Sequence, residues 1–320
     1  MDTVAMTAER IDRARGALLG SAVGDALGVP YEFGTIPLSG DPEPLGGGLG
    51  NYEPGEWSDD TQMATCIARV AATGLRLTSQ SAQDQIADCF LLWEREGASD
   101  IGVQTSRVLR SARKLEGTPA QRLRAASRSY AEISDRAAGN GALMRTAPVG
   151  LAFLHDRDLT AQAAREISAL THTDPMVGDT CVLWSEAIRL AVVEGVIDVY
   201  AGLDLLHPDV RETLSRALRE AEEPGFMLVE NSFTVSCMQA AWHSVKVGMS
   251  SDDPVKEGLF AAVRQGSDTD TTAAVAGGLL GAAYGASRVP PYEVHGWPGM
   301  TGREYADLAV KITAGSTEGW

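Results

Sequence analysis

Aromatic side chains are scarce: Phe, Trp and Tyr make up 6% of the 320 residues. Strands draw on aromatic and β-branched residues, so this shortage argues against a sheet-rich fold. Cysteine is scarcer still. Cys66, Cys89, Cys181 and Cys237 are widely spaced and form no C-x-x-C pair, which excludes a local zinc or dithiol motif and points to reduced core thiols in a cytoplasmic protein. Positive charge is also short, with 27 basic against 43 acidic residues and a net charge of −16. No basic run offsets this, so electrostatic capture of a nucleic-acid duplex is excluded. Residues 1–10 have no apolar stretch of signal-peptide type. The longest uncharged segment of interest, residues 271–287, is short for a bilayer span and is expected to be a buried helix.

Glycine is abundant, at 34 residues, and 44% of the chain is hydrophobic. That is ample for a core and excludes intrinsic disorder. Gly16, Gly20, Gly24 and Gly28 recur at every fourth position of an apolar pattern spanning residues 7–27. Gly277, Gly281 and Gly285 repeat the device near the other end. Glycine at helical spacing clears one face for a second backbone, at up to ~1 kcal/mol of helix propensity each. The chain ends are therefore expected to meet in one core.

Helical periodicity is read across residues 61–73, 81–95, 103–115, 121–136, 161–169, 179–193, 209–221, 233–246 and 253–264. Strand-like alternation is almost absent. Residues 29–57 hold five prolines and four glycines in the Gly46–Gly50 region, so no regular element is expected there and few backbone bonds to hold it. Such a loop in a compact domain is usually functional. The reading is an all-α fold in one domain, residues 1–320, a compact orthogonal helical bundle. Flexible tails are expected at 1–8 and 314–320, and a peripheral helical insertion at 195–225. Trp93, Trp184 and Trp242 fall on apolar helical faces and read as core.

Two acidic helix starts carry the chemistry. Ser58-Asp59-Asp60-Thr61 ends the Pro/Gly loop and opens a helix; Gly266-Ser267-Asp268-Thr269-Asp270-Thr271 does the same later. Ser or Asp in such places commonly caps the helix and complements its dipole. Each segment, however, has two acids and a hydroxyl, more than one cap needs. Hard oxygen ligands suit Mg²⁺ or Mn²⁺, and four converging carboxylates imply one such ion or, better, two. A third motif, Gly139-Asn140-Gly141-Ala142, can expose backbone amides as an anion cradle, although it is also an ordinary turn. His172, before Asp174-Pro175, reads as a hydrogen-bonding support rather than a metal ligand.

Together these segments resemble the ADP-ribosylglycohydrolase family. The resemblance covers nearly the whole chain. It runs through Arg15-Gly16-Ala17-Leu18-Leu19-Gly20, Gly24-Asp25-Ala26-Leu27-Gly28, Ser58-Asp59-Asp60-Thr61, Asp100-Ile101-Gly102, Gly139-Asn140-Gly141, Leu170-Thr171-His172, Asp268-Thr269-Asp270-Thr271 and Ala282-Ala283-Tyr284-Gly285. It implies a binuclear magnesium cleft (Mn²⁺ as a possible substitute) held by Ser58, Asp59, Asp60, Asp268, Asp270 and Thr271. Ser58 stands where many members have Thr and keeps the hydroxyl. Glu32 and Asp100 match a loop glutamate and a ribose-contacting aspartate, and either could carry the catalytic proton. Gly139, Asn140, Gly141 and Ala142 would cradle the diphosphate, with His172 in support. Phe226 stands where many members stack a tyrosine on adenine.

The implied activity is hydrolysis of the glycosidic bond between ADP-ribose and a modified acceptor, arginine foremost. The partner would be ADP-ribose or an ADP-ribosylated protein, with no membrane, and with nucleic acid only as a modified substrate. A cytoplasmic monomer is expected. Two other classes stay open: a non-catalytic ADP-ribose-binding or crystallin-like structural relative, and a binuclear-metal phosphoesterase.

Overall fold

The computed structural model of the protein describes residues 4–96 and 98–317. The tails expected at 1–8 and 314–320 therefore lie partly outside the described residues. Among those described, the fold is all-helical. In chain order the helices are α1 (Ala8–Gly28), α2 (Asp59–Ala71), α3 (Gln80–Arg95), α4 (Val103–Ala112), α5 (Pro119–Ile133), α6 (Ala147–Ala152) and α7 (Arg157–Ser168). They continue as α8 (Pro175–Glu194), α9 (Pro208–Ala221), α10 (Thr234–Met249), α11 (Pro254–Arg264), α12 (Thr269–Tyr284) and α13 (Gly302–Thr317). The described strands are a two-residue antiparallel pair, His295–Gly296 with Met300–Thr301.

The centre of the fold is an antiparallel seam between α1 and α12. A Cβ on Gly281 would overlap the Gly16 carbonyl oxygen; Gly20 and Gly277 exclude each other's side chains in the same way. Further along, Gly24 lies on the Ala273 carbonyl and Gly28 on the Asp270 backbone. The two glycine stripes therefore face one another, and the seam delivers the C-terminus of α1 to the N-terminus of α12. Around it the core fills with large rings: Trp57, Trp93, Trp184, Phe90 and Tyr305 are fully buried. The indole N–H of Trp184 donates to the Val275 carbonyl of α12 at 2.9 Å, and that of Trp93 to Gln62 Oε1 at 2.6 Å.

The structure departs from the sequence reading in three places. Residues 29–57 contain a 3-10 turn, Val29–Gly34, and are tied down at several points. Phe33 N–H donates to the Ser267 carbonyl at 2.7 Å, and Trp57 N–H to the His295 carbonyl at 2.9 Å. Helix α6 has one and a half turns, too few for periodicity to register. Helix α13 was not anticipated, although Thr301 and Glu304 open it with a reciprocal capping pair, Thr301 N to Glu304 Oε2 at 2.9 Å and Glu304 N to Thr301 Oγ1 at 3.3 Å.

The seam separates two glycines on one helix. Gly281→Ala should destabilise the protein by about 3 kcal/mol, because its Cβ meets backbone that cannot move aside. Gly278→Ala, whose Cβ would sit no nearer than 3.6 Å to any atom, should be neutral or add up to ~1 kcal/mol through helix propensity. Urea unfolding of both variants checks this, and equal losses would show that the seam is not the tight contact described.

Candidate active site

Asp25 is fully buried near the end of α1, between Gly24 and Gly28. Its Oδ1 accepts from the Ser58 backbone N–H and Oγ, both at 2.8 Å. Its Oδ2 accepts from Thr61 N–H at 2.9 Å and Thr61 Oγ1 at 2.6 Å. A helix N-terminus normally finds its cap in the local chain. Here Ser58, at the capping position of α2, makes no such bond on its own helix, and a carboxylate from α1 serves instead. Asp59 and Asp60 are thereby free of capping duty. Helix α12 is similar: Asp268 makes no side-chain capping bond, while Thr269 Oγ1 donates to the last carbonyl of α1, Gly28, at 2.8 Å.

The two acidic helix starts converge. Asp25, Asp60 and Asp270 bring carboxylate oxygens within 4.8 Å of one another, and so do Glu32, Asp268 and Asp270. Asp270 belongs to both triads. All five of these acids are buried. Burial, followed by the neighbouring carboxylates, pushes Asp59, Asp60 and Asp270 well above the usual carboxylate range. Asp60 Oδ1 is buried with no hydrogen-bond partner among the described residues. Ser58 Oγ lies 3.0 Å from the other Asp60 oxygen, but its single proton is shared with Asp25. An orphaned carboxylate oxygen inside an all-oxygen acidic cluster fits a hard divalent cation. Asp25 fits the ligand role less well, because each of its oxygens already accepts two donors. It fixes Ser58 and α2 instead.

Glu32 sits at a kink in the 3-10 turn, where Phe33 takes φ 46°. The bond from Phe33 N–H to Ser267 ties this turn to the Asp268 loop. Burial, then the charges of Asp100, Asp268 and Asp59, push Glu32 up to about 10, and its side chain shares a hydrogen bond with Asp100. Asp268 Oδ2 accepts from Asn140 Nδ2 at 3.0 Å. Fully buried Asn231 holds the same loop, taking Asp268 N–H at 2.8 Å and giving its amide to the Gly266 carbonyl at 3.0 Å.

These groups floor a cleft of about 690 Å³. Glu32, Asp59, Asp100, Gly139, Asn140, Gly141, His172, Asp268, Asp270 and Thr271 line it. Ser58, Asp60 and Ala142 lie behind the lining, buried. Asn140 N–H is taken by the Ser232 carbonyl at 3.1 Å; among the described residues the Gly141 and Ala142 N–H groups have no acceptor. Phe226 is not brought to the cleft. It packs on His243, ring centres 5.6 Å apart. The aromatic rings in the lining are those of Phe33, Tyr130 and Phe233, with the Arg136 guanidinium 4.9 Å over Phe233. Sequence reasoning gave no role to Asp25, Asn231 or Phe233. A lone acid inside a small-residue stripe was a readable signal for Asp25; Asn231 and Phe233 carry none.

An acidic cluster spread over two helix starts in an all-helical cleft defines a class of proteins whose site can hold metal ions. Within that class the chain belongs to the ADP-ribosylglycohydrolase family, whose model matches residues 6–318, and it is an enzyme acting on glycosyl bonds. It is 32% identical over 289 residues to the ADP-ribosyl-[dinitrogen reductase] glycohydrolase of Rhodospirillum rubrum, covering 87% of this chain and 88% of that one. It is 28% identical over 300 residues to the ADP-ribosylarginine hydrolase Tri1 of Pseudomonas putida (strain GB-1), covering 88% and 73%. A solved structure of an ADP-ribosylglycohydrolase-related protein complex superposes with a TM-score of 0.71 and 32% identity, over 97% of this chain and all of the other. No helix among the described residues is long and apolar enough to cross a membrane.

The raised acids fix the sign of the pH response. Glu32 has an ordinary value of 4.5 and is pushed to about 10 in the fold. Between those limits the folded state holds more protons than the unfolded chain, so stability of the metal-free protein falls as pH rises. With EDTA present, Tm should drop by several degrees from about pH 5.5 to about pH 8. Added Mg²⁺ should recover more of it at the higher pH, where the carboxylates have lost their protons. Scanning calorimetry checks this, and a Tm that rises with pH in EDTA would contradict the cluster.

Proposed function

We propose that the protein hydrolyses the glycosidic bond joining ADP-ribose to an arginine side chain of a modified protein, with two Mg²⁺ ions in the cleft and Mn²⁺ able to substitute. The observation that carries this is the convergence of Glu32, Asp100, Asp268 and Asp270 on one cleft floor with Gly139–Gly141 beside them. The printed names of the Rhodospirillum and Pseudomonas relatives support the linkage. So does charge: a guanidinium is cationic and suits a site built of acids.

Asp60, Asp268, Asp270 and Glu32 would hold the ions, with Asp59, Ser58 and Thr271 around them. When bound, the ions supply positive charge that offsets the carboxylates and grips the ribose hydroxyls. The protein's own groups do the rest. Glu32 and Asp100 share one hydrogen bond, so the pair holds a proton at the cleft surface. One member can give it to the departing nitrogen and the other take one from the attacking water. The acidic floor stabilises positive charge developing at the ribose C1″, as in other glycoside hydrolysis. The free Gly141 N–H offers the diphosphate a donor without adding a charged side chain.

Asp60→Asn and Asp268→Asn should each lower turnover at least ~100-fold while leaving the helical circular dichroism intact, since each removes charge from a repulsive cluster. The product should be ADP-ribose, not phosphate or AMP, and EDTA should stop its release. Full activity in either variant, or phosphate as the product, overturns the reading. Gly141→Val tests the cradle separately. A Cβ there sits 3.1 Å from His172 Cε1 and 3.3 Å from Thr105 Oγ1, so the valine methyls must fill the space. ADP-ribose affinity should fall about tenfold or more by calorimetry and adenosine affinity should hold; equal losses would place the phosphates elsewhere.

A further inference from the structure

Arg145 is buried, 1% exposed, with no carboxylate partner among the described residues. Its guanidinium lies 4.7 Å over the Phe90 ring and 3.5 Å from Met63 Sδ, and its Nε meets no acceptor. Leaving a cation so poorly paired in a core is expensive. Its one short hydrogen bond runs to Thr171 Oγ1 at 2.8 Å. That same oxygen lies 2.8 Å from His172 Nδ1.

Hydrogen counting settles the direction of this chain. A guanidinium only donates, so Thr171 Oγ1 accepts from Arg145. If His172 Nδ1 also donated to it, the Thr171 hydroxyl proton would be left buried with no acceptor, at a cost of about 1–3 kcal/mol. The hydroxyl therefore donates to Nδ1, and the ring proton sits on Nε2. Polarisation by the guanidinium strengthens that O–H as a donor. Among the described residues Nε2 has no partner, and it faces the space left open by two missing side chains: Cβ atoms on Gly139 and Gly141 would lie 3.5 and 3.4 Å from it. Burial and the Arg145 charge keep the ring neutral, pushed down to about 3.

We propose that Arg145 and Thr171 are positioning residues that lock His172 as the Nε2–H tautomer, so that an uncharged N–H donor points into the cleft beside Gly139 and Gly141 to meet an acceptor oxygen of the ligand. The ligand half of this rests on the ADP-ribose reading above; the tautomer does not.

Long-range proton–nitrogen correlation spectra of the imidazole in the metal-loaded, ligand-free protein at neutral pH test it. The wild type should show a protonated Nε2 and a bare Nδ1. Thr171→Val, which keeps the shape and removes the hydroxyl, should mix the two tautomers and weaken ADP-ribose about tenfold. Thr171→Ser should restore both to within about twofold of wild type. A wild-type ring protonated on Nδ1 or on both nitrogens overturns the proposal, and so does a Thr171→Val variant with unchanged spectra and affinity. Failure of the wild type to bind ADP-ribose would sink the functional reading, while the ring spectrum would still decide the tautomer.

Discussion

The separation of two backbones is the constraint on which the site depends. Gly16 and Gly20 of α1 lie on Gly281 and Gly277 of α12 with no room for a methyl group. That closeness lets a carboxylate from α1 reach the first turn of α2, and lets Gly28 rest on Asp270. Spreading the seam by the width of a side chain would move Asp25 away from Ser58 and Thr61, leaving α2 uncapped and Asp60 unsupported. The propensity lost at the glycines, up to ~1 kcal/mol each, is offset by packing that also assembles the acids.

The delegated cap explains how two acidic helix starts remain available for chemistry. Helix N-termini stabilise carboxylates through free N–H groups and the dipole. Left alone, Ser58 and Asp268 would fold back onto their own first turns. Asp25 takes over the duty on α2, and Asn140 draws the Asp268 side chain toward the cleft. Both are long-range contacts. The sequence shows two acids per helix start, which is too many for capping, but nothing local says where the cap comes from.

What was legible follows from this. Glycine spacing announced the seam because a four-residue period on an apolar helix has few other uses. The paired acids announced the convergence because their number exceeded the local need. Signals that depend on the partner were silent. Phe226 and Phe233 are equivalent on the page, and only folding turns Phe226 against His243 and Phe233 into the cleft. Glu32 could be named from its loop, but the bond from Phe33 to Ser267 that ties that loop to the Asp268 segment joins residues more than two hundred positions apart. Helix α13 is legible from its Thr301–Glu304 capping pair rather than from its periodicity.

Charge raises the last difficulty. On the proposed reading, an anionic diphosphate must enter a protein of net charge −16, close to a cluster of five buried acids. Two exposed arginines, Arg107 and Arg136, line the cleft, and Arg136 pairs with Glu230 at 2.9 Å rather than with the buried acids. The structure keeps its buried guanidinium behind the wall, where Arg145 touches Thr171 rather than a carboxylate. Beside the acidic floor the wall also presents uncharged donors: the N–H of Gly141, and a histidine that burial and the same guanidinium hold neutral. Neutral donors bind an anion by short, directional contacts and attract no counter-charge from the acids. On the proposed reading the carboxylates then serve cations and the backbone and imidazole dipoles serve phosphate, with neither cancelling the other.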